Sequence, residues 1–153
     1  MNIGEVDKLA TIRLDHSFSF NEVDASSISL VGFHDEGVSE VNVYSTSLGS
    51  LKRVEDFIAG YLKLLYMELF DGEPKEELED AYLEVVSTYE LKLDCLAIRE
   101  FLDGLLPYLG KENLKDLESN IQGVKNVFRC HEREELYLLV SPDKIFFVEC
   151  EHE

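Results

Sequence analysis

Apolar and polar positions alternate through the first third of the chain. They do so along Thr11-Ile12-Arg13-Leu14, Ser17-Phe18-Ser19-Phe20, Ile28-Ser29-Leu30 and Val41-Asn42-Val43-Tyr44. A period of two places one set of side chains on each face of a sheet, so these runs predict strands. His34-Asp35-Glu36-Gly37 lies between two of them and reads as a hairpin turn. Asp24-Ala25-Ser26-Ser27 reads as a polar break.

From Leu51 the period lengthens. Val54, Phe57, Ile58, Tyr61, Leu62, Leu65 and Leu69 recur at helical spacing over about five turns. Ser50 is placed to cap this helix, and Glu55 and Asp56 near its start suit the helix dipole. Asp71-Gly72-Glu73-Pro74 ends it. A second helix is expected from Lys75 to about Ser87, with Leu78, Ala81, Tyr82, Val85 and Val86 inward. A rival strand over Tyr82 to Val86 fits that spacing less well. Tyr89 to Leu93 alternates as a strand.

Asp94 is placed to cap a third helix over Cys95 to about Leu106, which should end or kink near Pro107 and close at Gly110. Ile98, Phe101, Leu102, Leu105 and Leu109 lie on one side of it. A short helix follows around Asn113 to Ile121. Strands return over Val124 to Cys130, Leu136 to Val140 and Ile145 to Cys150. The last two are joined by Ser141-Pro142-Asp143-Lys144, where Pro presets φ and Asp bonds its own backbone. Runs of strands, then helices, then strands indicate an α+β fold. The expectation is antiparallel sheet from the N- and C-terminal strand runs, packed against a central group of three to four helices. One domain spans residues 1–153.

Composition then narrows function. Hydrophobic residues make up 45% of 153, which supplies a core and argues against disorder. Asp and Glu number 32 against 14 Lys and Arg, a net charge of −18. Such a chain repels nucleic-acid phosphates and anionic membranes, and attracts a basic protein partner. Cys95, Cys130 and Cys150 form no disulfide framework. Met1 to Asp7 carries no signal-peptide pattern, and no apolar run is long enough to span a membrane. A reducing cytoplasm is the expected compartment.

The acids are not spread evenly. Glu68, Asp71, Glu73, Glu76, Glu77, Glu79, Asp80 and Glu84 share a stretch whose single base is Lys75. On a helix, Glu76, Asp80 and Glu84 stack at i, i+4 and i+8, where like charges repel by a few tenths of a kcal/mol per pair. A carboxylate row can be read by a basic partner in place of a phosphate backbone. The competing reading is a solvated helix face. Tyr66 lies off the apolar stripe and would anchor an interface beside these acids.

Other constellations are weaker. Cys130-His131 with Cys150 and His152 offers zinc-type ligands without ligand spacing. His16-Ser17 and His34-Asp35 hold nucleophile-and-base residue types, but no GxSxG elbow or phosphate loop accompanies them. No catalytic residue, metal or cofactor is therefore expected. The leading expectation is an acidic inhibitor of the immunity type, neutralising a basic toxin such as a nuclease in a bacterial cytoplasm. An enzyme or ligand-binding domain with a pocket between sheet and helices is an alternative. A dimeric chaperone or adaptor is another.

Overall fold

A computed structural model describes residues 1–6, 8–14, 26–69, 71–131 and 135–152, with the backbone alone at Ile3, Tyr66, Leu69 and His131. In chain order it contains α1 (Ile3–Val6), β1 (Thr11–Arg13), β2 (Ser26–His34), β3 (Gly37–Ser47) and a 3-10 turn (Leu48–Ser50). Then come α2 (Val54–Leu69), α3 (Lys75–Val86), β4 (Glu90–Leu96), α4 (Ile98–Asn120), β5 (Asn126–His131), β6 (Leu136–Val140) and β7 (Lys144–His152). The strand read over Ser17 to Phe20 lies outside the described residues.

The strands of the described residues join one antiparallel sheet in the order β1-β4-β5-β6-β7-β3-β2. The fold is thus α+β, with the N- and C-terminal strand runs in a shared sheet. Its helices divide between the two faces. Tyr44, Phe128, Leu138 and Phe147 pack under α2 and α3, whereas Val43, Val127, Leu139 and Val148 pack under α4. The middle strands are therefore covered on both sides, which is why β6 and β7 are nearly continuous apolar runs. Fully buried Phe57, Leu138 and Phe147 each contribute about 1.5–3 kcal/mol through burial. Tyr82 ties the two helices of one layer together by donating to the Ala59 carbonyl at 3.1 Å.

Three local expectations are corrected. Ser50 does not cap α2: its hydroxyl donates to the Ser47 carbonyl at 2.8 Å within the 3-10 turn, and α2 begins at Val54. Asp94 does not cap α4. Pairing with β5 keeps Asp94 and Cys95 in β4, opposite Arg129 and Phe128, and the cap position falls to Ala97 without a side-chain bond. In the β6–β7 turn the side chain that bonds the backbone is Ser141, not Asp143. Its Oγ accepts the N–H of Asp143 at 3.3 Å and of Lys144 at 2.9 Å.

The break near Pro107 falls at Gly110. Its φ of 79° and ψ of 168° separate two helical stretches of α4, the second matching the short helix expected around Asn113. The first stretch crosses β2 at close range. A Cβ on Gly32 would stand 2.0 Å from the Tyr108 carbonyl oxygen, so only glycine allows this approach. Gly32→Ala must push α4 off β2, and overpacking of this kind costs about 1–3 kcal/mol. Urea denaturation should show the variant destabilised by at least that range's lower end. A wild-type midpoint would contradict the contact.

Candidate functional site

The sequence-predicted acids of α3 stand where helical spacing places them. Tyr82 and Val86 turn inward, and Glu76, Glu77, Asp80 and Glu84 are exposed. Asp71 and Glu73, in the turn before α3, and Glu68, near the end of α2, are exposed as well. Among the described residues no ion pair engages any of these carboxylates. Tyr66 belongs to α2, but its side chain, and so its expected role as an anchor, lies outside the described residues.

A second acidic surface was not legible in the sequence. The β3–β7 register sets Glu40 opposite Glu151 and Asn42 opposite Glu149, while β2 sets Ser29 opposite Asn42 and Ser27 opposite Tyr44. Directly opposed residues share a face, so these side chains point to the α2 side of the sheet. With Leu65 and Glu68 of α2 they line a concavity of about 270 Å³. Among the described side chains, Glu68 is the one sequence-predicted residue that belongs to it. The other three carboxylates come from the adjacent strands β3 and β7, and only strand pairing reveals that they converge. A cross-strand pattern of Glu at polar positions was the available signal, but it means nothing without the register.

The chemistry of this concavity is anionic and partly dry. Tyr61 donates its hydroxyl to Glu149 Oε2. The Tyr44 phenol is pushed up to about 12, first by burial and then by Glu68, Glu149, Glu151 and Glu40. Burial foremost, then the bond to Glu149, raises Tyr61 well above an ordinary phenol. The Tyr44, Tyr61 and Phe147 rings stack beneath, with centroids 4.9 Å and 4.4 Å apart along the series. Opposed like charges are destabilising across a strand pair, so a bound cation would relieve the site.

The cysteine and histidine candidates part company. Cys130 packs on the α2 face and Cys150 on the α4 face, with β6 between their strands, so they share no site. Burial, then Glu135 and Glu149, push the Cys150 thiol up to about 12. His16 and Ser17 lie outside the described residues. His34 precedes the Asp35-Glu36 turn as expected, but it also joins a chain that sequence reading missed. His34 Nε2 lies 2.7 Å from Ser39 Oγ, Ser39 Oγ lies 2.7 Å from His152 Nδ1, and His152 Nε2 lies 3.3 Å from Glu135 Oε1. The Tyr108 ring contacts both imidazoles, at 5.5 Å and 4.2 Å.

Serine, histidine and glutamate in this order have the composition of a nucleophilic triad. Ser39, however, is 0% exposed, closed in by both imidazoles. The chain therefore works as a polar lock, joining the β2–β3 hairpin, the end of β7 and the turn before β6. No helix among the described residues is long and apolar enough to cross a membrane. Compared with protein-family models, curated proteins and solved structures, the chain matches none.

The phenols give a pH test. The Tyr82 hydroxyl is also pushed up to about 12, by burial. A raised phenol pKa means that the folded state keeps its proton after the unfolded chain has lost it. Stability is thus unchanged below pH 10 and falls as pH rises from 10 towards 12. Absorbance titration of the 7 tyrosines should show at least Tyr44, Tyr61 and Tyr82 ionising late, together with unfolding. A simple titration of all of them near pH 10 would contradict the burial described.

Proposed function

We propose that this protein is an inhibitor that binds and neutralises a basic partner, in the manner of an immunity protein covering the phosphate-binding surface of a cationic toxin such as a nuclease. A net charge of −18 supports the reading, and Glu68, from the acidic stretch that continues into α3, also lines the concavity. The observation that carries it is the concavity between β2, β3, β7 and α2. Among the described residues that line it are four carboxylates and no Lys or Arg. Nuclease sites hold phosphates with basic side chains, and a carboxylate-lined surface offers those side chains an equivalent set of acceptors. Exposed Glu76, Asp80 and Glu84 extend the negative field and steer the encounter.

The test begins with capture of the basic protein that co-purifies from the native host at low salt. Stopped-flow association of the purified pair should slow by at least about tenfold as ionic strength rises to physiological values. Replacing Glu76, Asp80 and Glu84 with Gln should slow association further while leaving dissociation nearly unchanged. An association rate insensitive to salt and to this triple substitution would contradict a partner recognised by charge.

A further inference from the structure

We infer that the concavity between β2, β3, β7 and α2 receives one guanidinium, the side chain of an arginine of the basic partner, with the Tyr44 hydroxyl as an acceptor at its floor. This rests on the basic-partner reading and names the group that the concavity takes. Carboxylates alone would not single out a ligand, because acidic surfaces are ordinary on a chain of net charge −18. The phenols beneath them do.

Tyr44 and Tyr61 lie side by side, with ring centroids 4.9 Å apart, but their hydroxyls differ. Tyr61 donates to Glu149 Oε2. Tyr44 is 9% exposed and lines the concavity, yet among the described residues its hydroxyl has no hydrogen-bond partner. The neighbouring carboxylates reach it through charge alone. A polar group this buried is normally paired. No polar side-chain atom of the described residues is both sealed from solvent and unpaired, so this hydroxyl opens into the concavity. Burial foremost pushes the phenol up to about 12, so at neutral pH it keeps its proton and offers both a donor and an acceptor.

The layout of the acids selects the cation. Among the described residues no three metal-type ligands come together. The carboxylates instead surround a space of about 270 Å³. A metal ion needs its ligands gathered on one point, whereas spread acceptors suit a cation whose donors are also spread. Guanidinium carries five N–H donors in a plane, is weakly hydrated and lies readily against aromatic rings. An ammonium concentrates its charge and its hydration at one atom. Guanidinium N–H groups donate to Tyr44 Oη and to Glu40 and Glu68, and Glu149, with one bond from Tyr61, keeps capacity for another. Leu65, the aliphatic residue of the lining, offers a surface for arginine's methylene stem.

The probe is blocked arginine, N-acetyl-arginine N-methylamide, titrated into the full chain at constant ionic strength and followed by heteronuclear NMR. It should bind in the millimolar range and shift the amides of Glu40 and Tyr44. Blocked lysine should bind at least about fivefold more weakly, and blocked citrulline, the uncharged isostere, should not bind. Tyr44→Phe removes a single oxygen that holds no bond among the described residues. The variant should therefore keep the wild-type urea midpoint while its affinity for blocked arginine and for the captured basic partner falls by about tenfold. Affinity lost together with stability would make the hydroxyl structural and overturn the inference. So would equal binding of arginine and lysine, no arginine binding at tens of millimolar, or arginine binding unchanged in Tyr44→Phe. Agmatine bound far more tightly than blocked arginine, with partner binding unchanged in Tyr44→Phe, would assign the concavity to a free guanidine and overturn the partner's arginine. If the captured partner binds with salt dependence but is indifferent to Tyr44→Phe and Glu40→Gln, the basic-partner reading survives and the guanidinium contact fails. If its binding shows no salt dependence at all, both fail.

Discussion

The pairing of β3 with β7 is the constraint on which the molecule depends. Its register runs from Ser39 opposite His152 to Ser47 opposite Lys144. Because neighbouring residues face opposite sides, that one alignment builds two different surfaces. Even-numbered β3 positions bring Glu40 and Asn42 against Glu151 and Glu149 on the α2 side. Odd-numbered positions bring Ser39, Val41 and Val43 against His152, Cys150 and Val148 on the α4 side. A slip by one residue would bury the carboxylates under α4 and expose the apolar set.

Each surface is held by its own interactions. On the α4 side the Glu135, His152, Ser39 and His34 chain closes the end of the sheet, and a buried serine between two imidazoles leaves no polar atom stranded. Gly32 lets the backbone of α4 lie directly on β2, which places Tyr108 against both imidazoles. On the α2 side, Tyr44 and Tyr61 form the aromatic base beneath the carboxylates, and Tyr61 donates to Glu149. The α4 side thus backs an α2 side lined by Glu40, Glu68, Glu149 and Glu151.

Local patterns made much of the fold readable. β6 was read with its bounds unchanged, α3 to within one residue at its end, and the α2 stripe followed from spacing alone. The misreadings at Ser50 and Asp94 share a cause. Both residues have good capping chemistry, but tertiary context decided: a 3-10 turn absorbed Ser50, and pairing with Arg129 drew Asp94 into β4. The acidic row on α3 was readable because its residues are helical neighbours. Glu40, Glu149 and Glu151 were not, because residues more than a hundred positions apart meet only through strand order.

The carboxylates of the concavity and those of α3 lie on different elements, so contact with each is separable. Calorimetric titration of the basic partner against the Glu40→Gln, Glu151→Gln double variant tests the concavity directly. The expected result is affinity weakened by about tenfold or more. Unchanged affinity, with the fold intact by circular dichroism, would contradict a contact centred on the concavity.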